Sequence, residues 1–411
     1  MKNFLYFFFF FFPFSVFAQV EDFVKDGIKT ARVRVDGADF GFPICQLGQV
    51  LRLDFDVLDD KYENLSYSVR HCDADFEPDD LSFNEFAEGF DERQIEDYQN
   101  SFNTHQSFTH YTLKIPNDDL KLLISGNYIV EVFEDSDRDN VVLRKKFMVY
   151  EESDNSKISA LVSKPFLLDY AFDSQQLKVS FLNDKLQISN PAKYLKVFAM
   201  QNTDFSSRRR LEISGFSHNT ILYEKNSDEN IFQGGSEFSF FDAKDVHFKA
   251  LGIDDITFKN GIYNYKLTPF MPIEISYTYL EDLNGRYYIK NDKGFSLDLE
   301  SDYIKVLFSL KYDPFADGEI YLYGELSDYL FNSDSKLEFN SQTYLWEKEL
   351  LLKQGLYNFQ FVEKNKTTNQ TKFLSGSWFN TENDYLITVY TTLLKDRGDR
   401  LIMYKVVNSV K

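Results

Sequence analysis

Apolar and polar residues alternate with a period of two along much of this chain, the pattern of strands that bury one face. The clearest run is Leu51-Arg52-Leu53-Asp54-Phe55-Asp56-Val57, with the apolar side chains on one face and the charges on the other. Residues 31–35, 65–70, 108–113, 126–133 and 142–150 read as strands too, separated by short turns as in a β-sandwich. From Phe76 to Ser107 the alternation stops in an acidic, Phe-rich excursion. A connection this long inside a compact domain is usually functional. Polar residues 151–156 mark a first boundary. Alternation resumes in 177–181 and 194–198, with no sustained helical period in that middle region. A second boundary falls at Asn291-Asp292-Lys293-Gly294, followed by strand patterns at 303–308, 319–324, 355–361, 385–390 and 401–407. The expected fold class is all-β: three β-sandwich domains in series after a cleaved signal peptide. The expected parts are a signal peptide over 1–18, an N-terminal β-sandwich over 19–152, a middle β-rich domain over 153–292 and a C-terminal sandwich over 293–411.

Composition sharpens this reading. Aromatics reach 17%, with 43 Phe and 26 Tyr, which favours strands over helices. A formal net charge of −20 argues against nucleic acid as a partner and against approach to an anionic lipid face. Part of the Phe count lies at the N-terminus, where Met1-Lys2-Asn3 precedes an apolar run and Val16-Phe17-Ala18 offers a cut before Gln19. That is the layout of a secretory signal, too short for an anchor, and no Cys follows the cut to take a lipid. No later window is apolar for long enough to span a membrane as a helix. The expected mature protein is exported and soluble. In an oxidising compartment Cys45 and Cys72 either bridge or remain two buried thiols, and sequence leaves both open.

Candidate chemistry is sparse. His71, Cys72, Asp73 and Asp75, with His105 and His110, supply ligand types that zinc accepts, but without metal-site spacing. Structural polar groups at the mouth of a loop are the better reading. Asp135-Ser136-Asp137-Arg138-Asp139-Asn140 resembles a calcium loop, yet Asn140 replaces the glycine and Lys146 the twelfth-position glutamate. A strand-connecting turn is expected there. Arg208-Arg209-Arg210 reads as a solvated turn on so acidic a chain. No nucleophile elbow, zinc-protease helix or phosphate loop occurs, so no catalytic residue, cofactor or metal is expected. The aromatics of the excursion, Phe83, Phe86, Phe90, Tyr98 and Phe102, either form a contact patch rimmed with acids or tuck down onto their own sandwich.

A family resemblance runs through these segments. Arg70-His71-Cys72-Asp73-Ala74-Asp75-Phe76, Glu85-Phe86, Gly89-Phe90, Ser101-Phe102-Asn103-Thr104, Thr109-His110-Tyr111 and Ser125-Gly126-Asn127-Tyr128 resemble the first domain of the type IX secretion system plug protein. Asp282-Leu283-Asn284-Gly285, Leu352-Lys353-Gln354-Gly355-Leu356-Tyr357-Asn358 and the run from Gly376-Ser377-Trp378 to Asp384-Tyr385 extend the likeness, as does Asp399-Arg400-Leu401. Phe76 stands where the family is expected to carry Trp. The resemblance implies a non-enzymatic periplasmic protein, held at the outer membrane through its partner, a large translocon β-barrel whose pore it closes when no substrate passes. It brings no catalytic residues. The C-terminal region separately resembles early-set immunoglobulin-like domains that bind glycogen, through Tyr321-Leu322-Tyr323-Gly324 and Gly355-Leu356-Tyr357. The alternatives are therefore an exported carbohydrate-binding module, tested at Trp346, which lies on an alternating strand where a core place is the plainer reading, and an outer-membrane barrel, which the charges within many strands disfavour.

Overall fold

In the strand Leu51–Leu58, the side chains of Leu51, Leu53, Phe55 and Val57 all enter one hydrophobic core, as their alternation requires. This computed structural model describes residues 21–59, 61–151, 157–184, 188–272, 276–392 and 397–410; the expected signal peptide lies outside them. Leu51–Leu58 pairs antiparallel with Ile28–Val35 on one side and Phe108–Ile115 on the other. Facing it, Gly126–Glu134 pairs with Leu65–Cys72 and Val141–Tyr150. Tyr67, Val69, Tyr128, Val130 and Phe147 close the core from that side.

A second core lies between Ser174–Leu182, flanked by Ile158–Ser163 and Thr220–Tyr223, and a sheet built on Leu195–Gln201. The partners of Leu195–Gln201 are Arg209–Leu211 and, from far along the chain, Asp384–Thr391, which in turn pairs with Arg400–Asn408. A third core lies between two further sheets. In one, Tyr303–Leu310 runs between Ile262–Leu267 and Leu345–Lys353. In the other, Gly355–Asn365 pairs with Ser239–Asp242, Tyr287–Ile289 and Gly318–Tyr323.

The all-β expectation holds, but the sheets do not divide at 292/293. Strands between 239 and 289 belong with the third core, whereas 384–408 returns to the second. The third sandwich is therefore inserted into the second. Alternation identifies a strand without naming its partner, and here pairing is settled by burial between segments some two hundred residues apart. Helix is confined to short turns such as Phe83–Phe86, whose start is fixed by Glu85 Oε2 accepting from both the amide (2.8 Å) and the hydroxyl (2.7 Å) of Ser82. Among the described residues, no helix is long and apolar enough to cross a membrane.

Candidate functional site

The carboxylates on the polar face of Leu51–Leu58 do not meet water. Antiparallel register sets Asp56 opposite His110 and Asp54 opposite Thr112; Asp54 and Asp56 are buried, and the third sandwich reaches Asp56, His110 and Arg52. Asp56 is fully buried, with one carboxylate oxygen 2.6 Å from His110 Nδ1. The other accepts from Lys353 Nζ at 2.7 Å and the Tyr303 hydroxyl at 2.6 Å, both from the third sandwich. Arg34 reaches Asp54 at 2.9 Å, while Arg52 pairs with Asp54 and, at 2.7 Å, with Asp298. Lys353 also donates to the Asp298 carbonyl and lies 4.1 Å from the centre of the Phe108 ring. Burial works against a charged His110, but its bonds to Asp54 and Asp56 prevail and raise it from 6.5 to about 9.

That shift has a readable consequence. A histidine raised on folding stabilises the fold fully below its unfolded value, near 6.5, and loses that contribution as pH climbs through about 9. The contribution is on the order of 3 kcal/mol. Urea midpoints measured across this window should fall in the wild type more steeply than in His110→Gln. Parallel profiles for the two proteins would contradict the assignment.

The segment from Arg70 to Phe76 forms a second joint, toward the second sandwich. His71 Nδ1 lies 2.6 Å from Asp79 and Nε2 3.3 Å from the Ser125 carbonyl. A Cβ at Gly126 would fall 2.2 Å from His71 Nε2, so the close approach requires glycine there. The Ala74 amide donates to Asp399 at 2.8 Å, beside Lys196 at 2.7 Å, and the Ala74 carbonyl accepts from Arg208 at 2.6 Å. Asn127 links the Asp73 carbonyl to the Tyr390 hydroxyl. Around these bonds, Phe42, Phe76 and Met148 bury against Phe198, Met200, Leu386 and Leu401. Arg208 lies 3.8 Å from the centre of the Phe198 ring and 5.3 Å from that of Phe76. The expected solvated turn at Arg208-Arg209-Arg210 is thus corrected. Arg209 is stacked on Phe232 and donates to the Asp228 and Ile231 carbonyls, and Arg210 alone is exposed. The Arg208 guanidinium is used at the joint, by aromatic rings and the Ala74 carbonyl, whereas the partners of Arg209 lie within the second sandwich.

The remaining motifs tie the second and third sandwiches together. In Asp282-Leu283-Asn284-Gly285, Asp282 accepts from the Asn284 amide at 2.6 Å, and burial pushes its carboxyl up to about 7. Asn284 and Arg286 both reach Asp384 at 3.1 Å. Gln175 donates to the carbonyls of Phe379 (2.7 Å) and Thr381 (2.6 Å), and Asn383 to that of Gly234 (2.8 Å). Buried amides of this kind are costly when unpaired, so they fix the path of both crossings into the inserted sandwich.

The three histidines considered as ligands therefore go to separate places. His71 is held within the first sandwich by Asp79 and the Ser125 carbonyl, His110 sits in the charged seam, and His105 lies against the Phe258 and Tyr263 rings. The turn at 135–140 connects two strands, with Arg138 pairing to Asp91 and Glu92. Cys45 and Cys72 are both buried and unbridged; burial pushes the Cys45 thiol up to about 12 and raises Cys72 as well. A thiol reagent should leave both untouched in the native protein and label both in denaturant. Rapid native labelling, or no labelling without a reductant, would contradict this.

The five aromatics of the excursion do not form one patch. Phe86 is buried beside Tyr128 with Phe83 half-buried against it, because the single-turn helix folds its apolar face into the first core. Phe90, Tyr98 and Phe102 remain about half exposed. The distal part of the excursion lies against the third sandwich. The Phe102 amide donates to the Leu299 carbonyl, Asn103 to Glu300, and the amides of His105 and Gln106 to Asp302. Phe258, which touches His105, is exposed, as are Phe248 and Phe295. Phe166, Leu168 and Phe172 form another exposed apolar run, on the second sandwich. Trp346 packs beside Phe339 against the third core, and its indole N–H donates to the Asp313 carbonyl.

Asp54, Asp56, Lys353 and Asp399 carry no mark in the sequence of the partners they take, although Lys353 and Asp399 stand inside the family's motifs. A charge on the outward face of an alternating strand carries no local mark of being covered.

The fold is all-β, with several sheets packed about separate hydrophobic cores and motif residues that join one core region to the next. The sequence model for the type 9 secretion system plug protein 1st domain matches residues 28–151. A hypothetical protein from Parabacteroides merdae, known from a crystal structure, is 32% identical, with a TM-score of 0.89 over 95% of this chain and 100% of that one. A search of curated proteins finds no match. The chain belongs to the type IX secretion plug protein family.

Proposed function

We propose that this protein is a non-enzymatic periplasmic plug that binds the periplasmic mouth of the type IX secretion translocon and closes its pore when no substrate passes. The observation that carries the reading is the use of the family's motif residues. They join three sandwiches through buried ion pairs and amides instead of converging on a pocket. A body that works by filling an opening needs bulk and a defined closed shape; the sandwiches supply the bulk and their joints the closed arrangement. Its partner is a large outer-membrane β-barrel, and the contact includes the seam between the excursion and the third sandwich, where Phe102 and Phe258 are exposed, together with exposed Phe295, whose amide shares Glu300 with Asn103. Large aromatics at the centre of a contact carry most of its binding energy.

Deleting the gene should let large antibiotics through the outer membrane, and the leak should vanish when the translocon is also removed. A tight envelope in the single deletion would sink the reading. Phe102→Asp combined with Phe295→Asp should weaken co-purification with the barrel at least tenfold while leaving the melting curve in place. Full retention would move the contact elsewhere, with the Phe166 run as the next surface to test.

A further inference from the structure

The first sandwich meets its two neighbours through seams of different balance. Toward the second, the seam is a large buried apolar cluster that includes Phe76, Met148, Phe198 and Leu401, bordered by the bonds of Ala74 to Asp399 and Arg208. Toward the third, its centre is charge: Asp56 holds Lys353, Tyr303 and His110, and Arg52 reaches Asp298. The apolar part there is small, with Leu58, Phe108 and Tyr303 packed against Leu351. Opening an apolar seam returns hydrocarbon to water with nothing to offset the loss. Opening a charged seam returns ions to water, and their hydration offsets much of the lost attraction. The two seams therefore differ in how readily they part.

We propose that the seam between the first and third sandwiches is a clasp, and that the third sandwich swings off the first when its charge pairing is upset, while the first and second stay joined. The geometry fits a swing. The third sandwich is inserted into the second, so it stays tethered there through residues 234–238 and 374–383 when the clasp parts. The clasp also depends on the protonation of His110. Facing that ring from the adjacent strand are Asp54, Asp56 and Arg52, with Arg34 one strand further and Gln99 opposite on the other side. From the third sandwich come Asp298 at 3.9 Å, together with Lys353 and Tyr303 through Asp56. The imidazolium donates to Asp56 at 2.6 Å and holds its other N–H nitrogen 3.5 Å from Asp54, whereas the neutral ring keeps one N–H and loses the charge that attracts both carboxylates. Raising the pH through the titration of His110 therefore loosens the clasp from within, and replacing Lys353 by a neutral side chain loosens it at any pH.

The clasp is independent of pore sealing, since it is read on the purified full chain. Hydrogen exchange, corrected for the intrinsic effect of pH, would be followed at amides 103–106 in the third-sandwich seam and at 74–76 in the second-sandwich seam. Scattering and circular dichroism would be recorded on the same samples. Between about pH 7 and about pH 10, exchange at 103–106 should rise about tenfold and the radius of gyration should increase. Protection at 74–76 and the strand signal should hold. Lys353→Met should show the same opening already near pH 7. Equal protection of both seams at both pH values, or loss of both together, would overturn the clasp. Should Lys353→Met fail to fold, the wild-type pair of measurements decides alone.

Discussion

Asp56→Ala is expected to destabilise the protein by about 3–5 kcal/mol, the cost of leaving buried charges without their partner. Asp56 is fully enclosed and accepts from His110, Lys353 and Tyr303. Removing its carboxylate strands Lys353, itself only 2% exposed, beside a histidine that is positively charged at neutral pH. The companion Asp56→Leu with Lys353→Met removes both ions and replaces them with apolar bulk, so it should recover most of the loss. Denaturant midpoints of the two variants decide the matter. A double variant as unstable as the single one would show that the network is not acting through unpaired charge.

The second large effect is expected at Phe76. Its ring is 1% exposed, stands edge-on to Phe205 at 5.4 Å between centres, and lies under the Arg208 and Lys146 cations. Phe76→Ala should cost about 3–5 kcal/mol, from lost burial and the cavity left in a seam that cannot fully close. The backbone there has φ of +64°, a region that bulky residues seldom occupy, so the surroundings must hold the ring in place. Alanine keeps that backbone demand while losing the contacts. Phe90→Ala, on an exposed ring of the same excursion, should change stability by no more than about 0.5 kcal/mol. Similar losses at the two positions would contradict the distinction between seam and surface.

Phe76 also shows how far a motif can be read alone. Its neighbours in Arg70-His71-Cys72-Asp73-Ala74-Asp75 looked like candidate ligands because histidine, cysteine and aspartate can all bind metal. Their polar atoms instead meet Asp79, Asn127, Asp399 and Arg208, of which Arg208 and Asp399 lie far away in the chain. Nothing in the local spacing could separate these outcomes, since a ligand and a joint residue need the same polar atoms. The excursion divides for a related reason. Phe86 and Phe90 are four residues apart and chemically alike, but a single helical turn carries one into the core and leaves the other outside.

The sequence by itself determined the clearly alternating strands of the first sandwich and of 303–407, because alternation is a local property, but not strands such as Ile253–Lys259 and Ile262–Leu267 of the middle region. It also carried the family, through short motifs in a fixed order. Which strands share a sheet, that the third sandwich interrupts the second, and that Asp54 and Asp56 face another sandwich instead of water were decided only in three dimensions. Those outcomes depend on surfaces brought together from distant parts of the chain, and a charged residue on the outer face of a strand looks the same in sequence whether water or a lysine lies opposite.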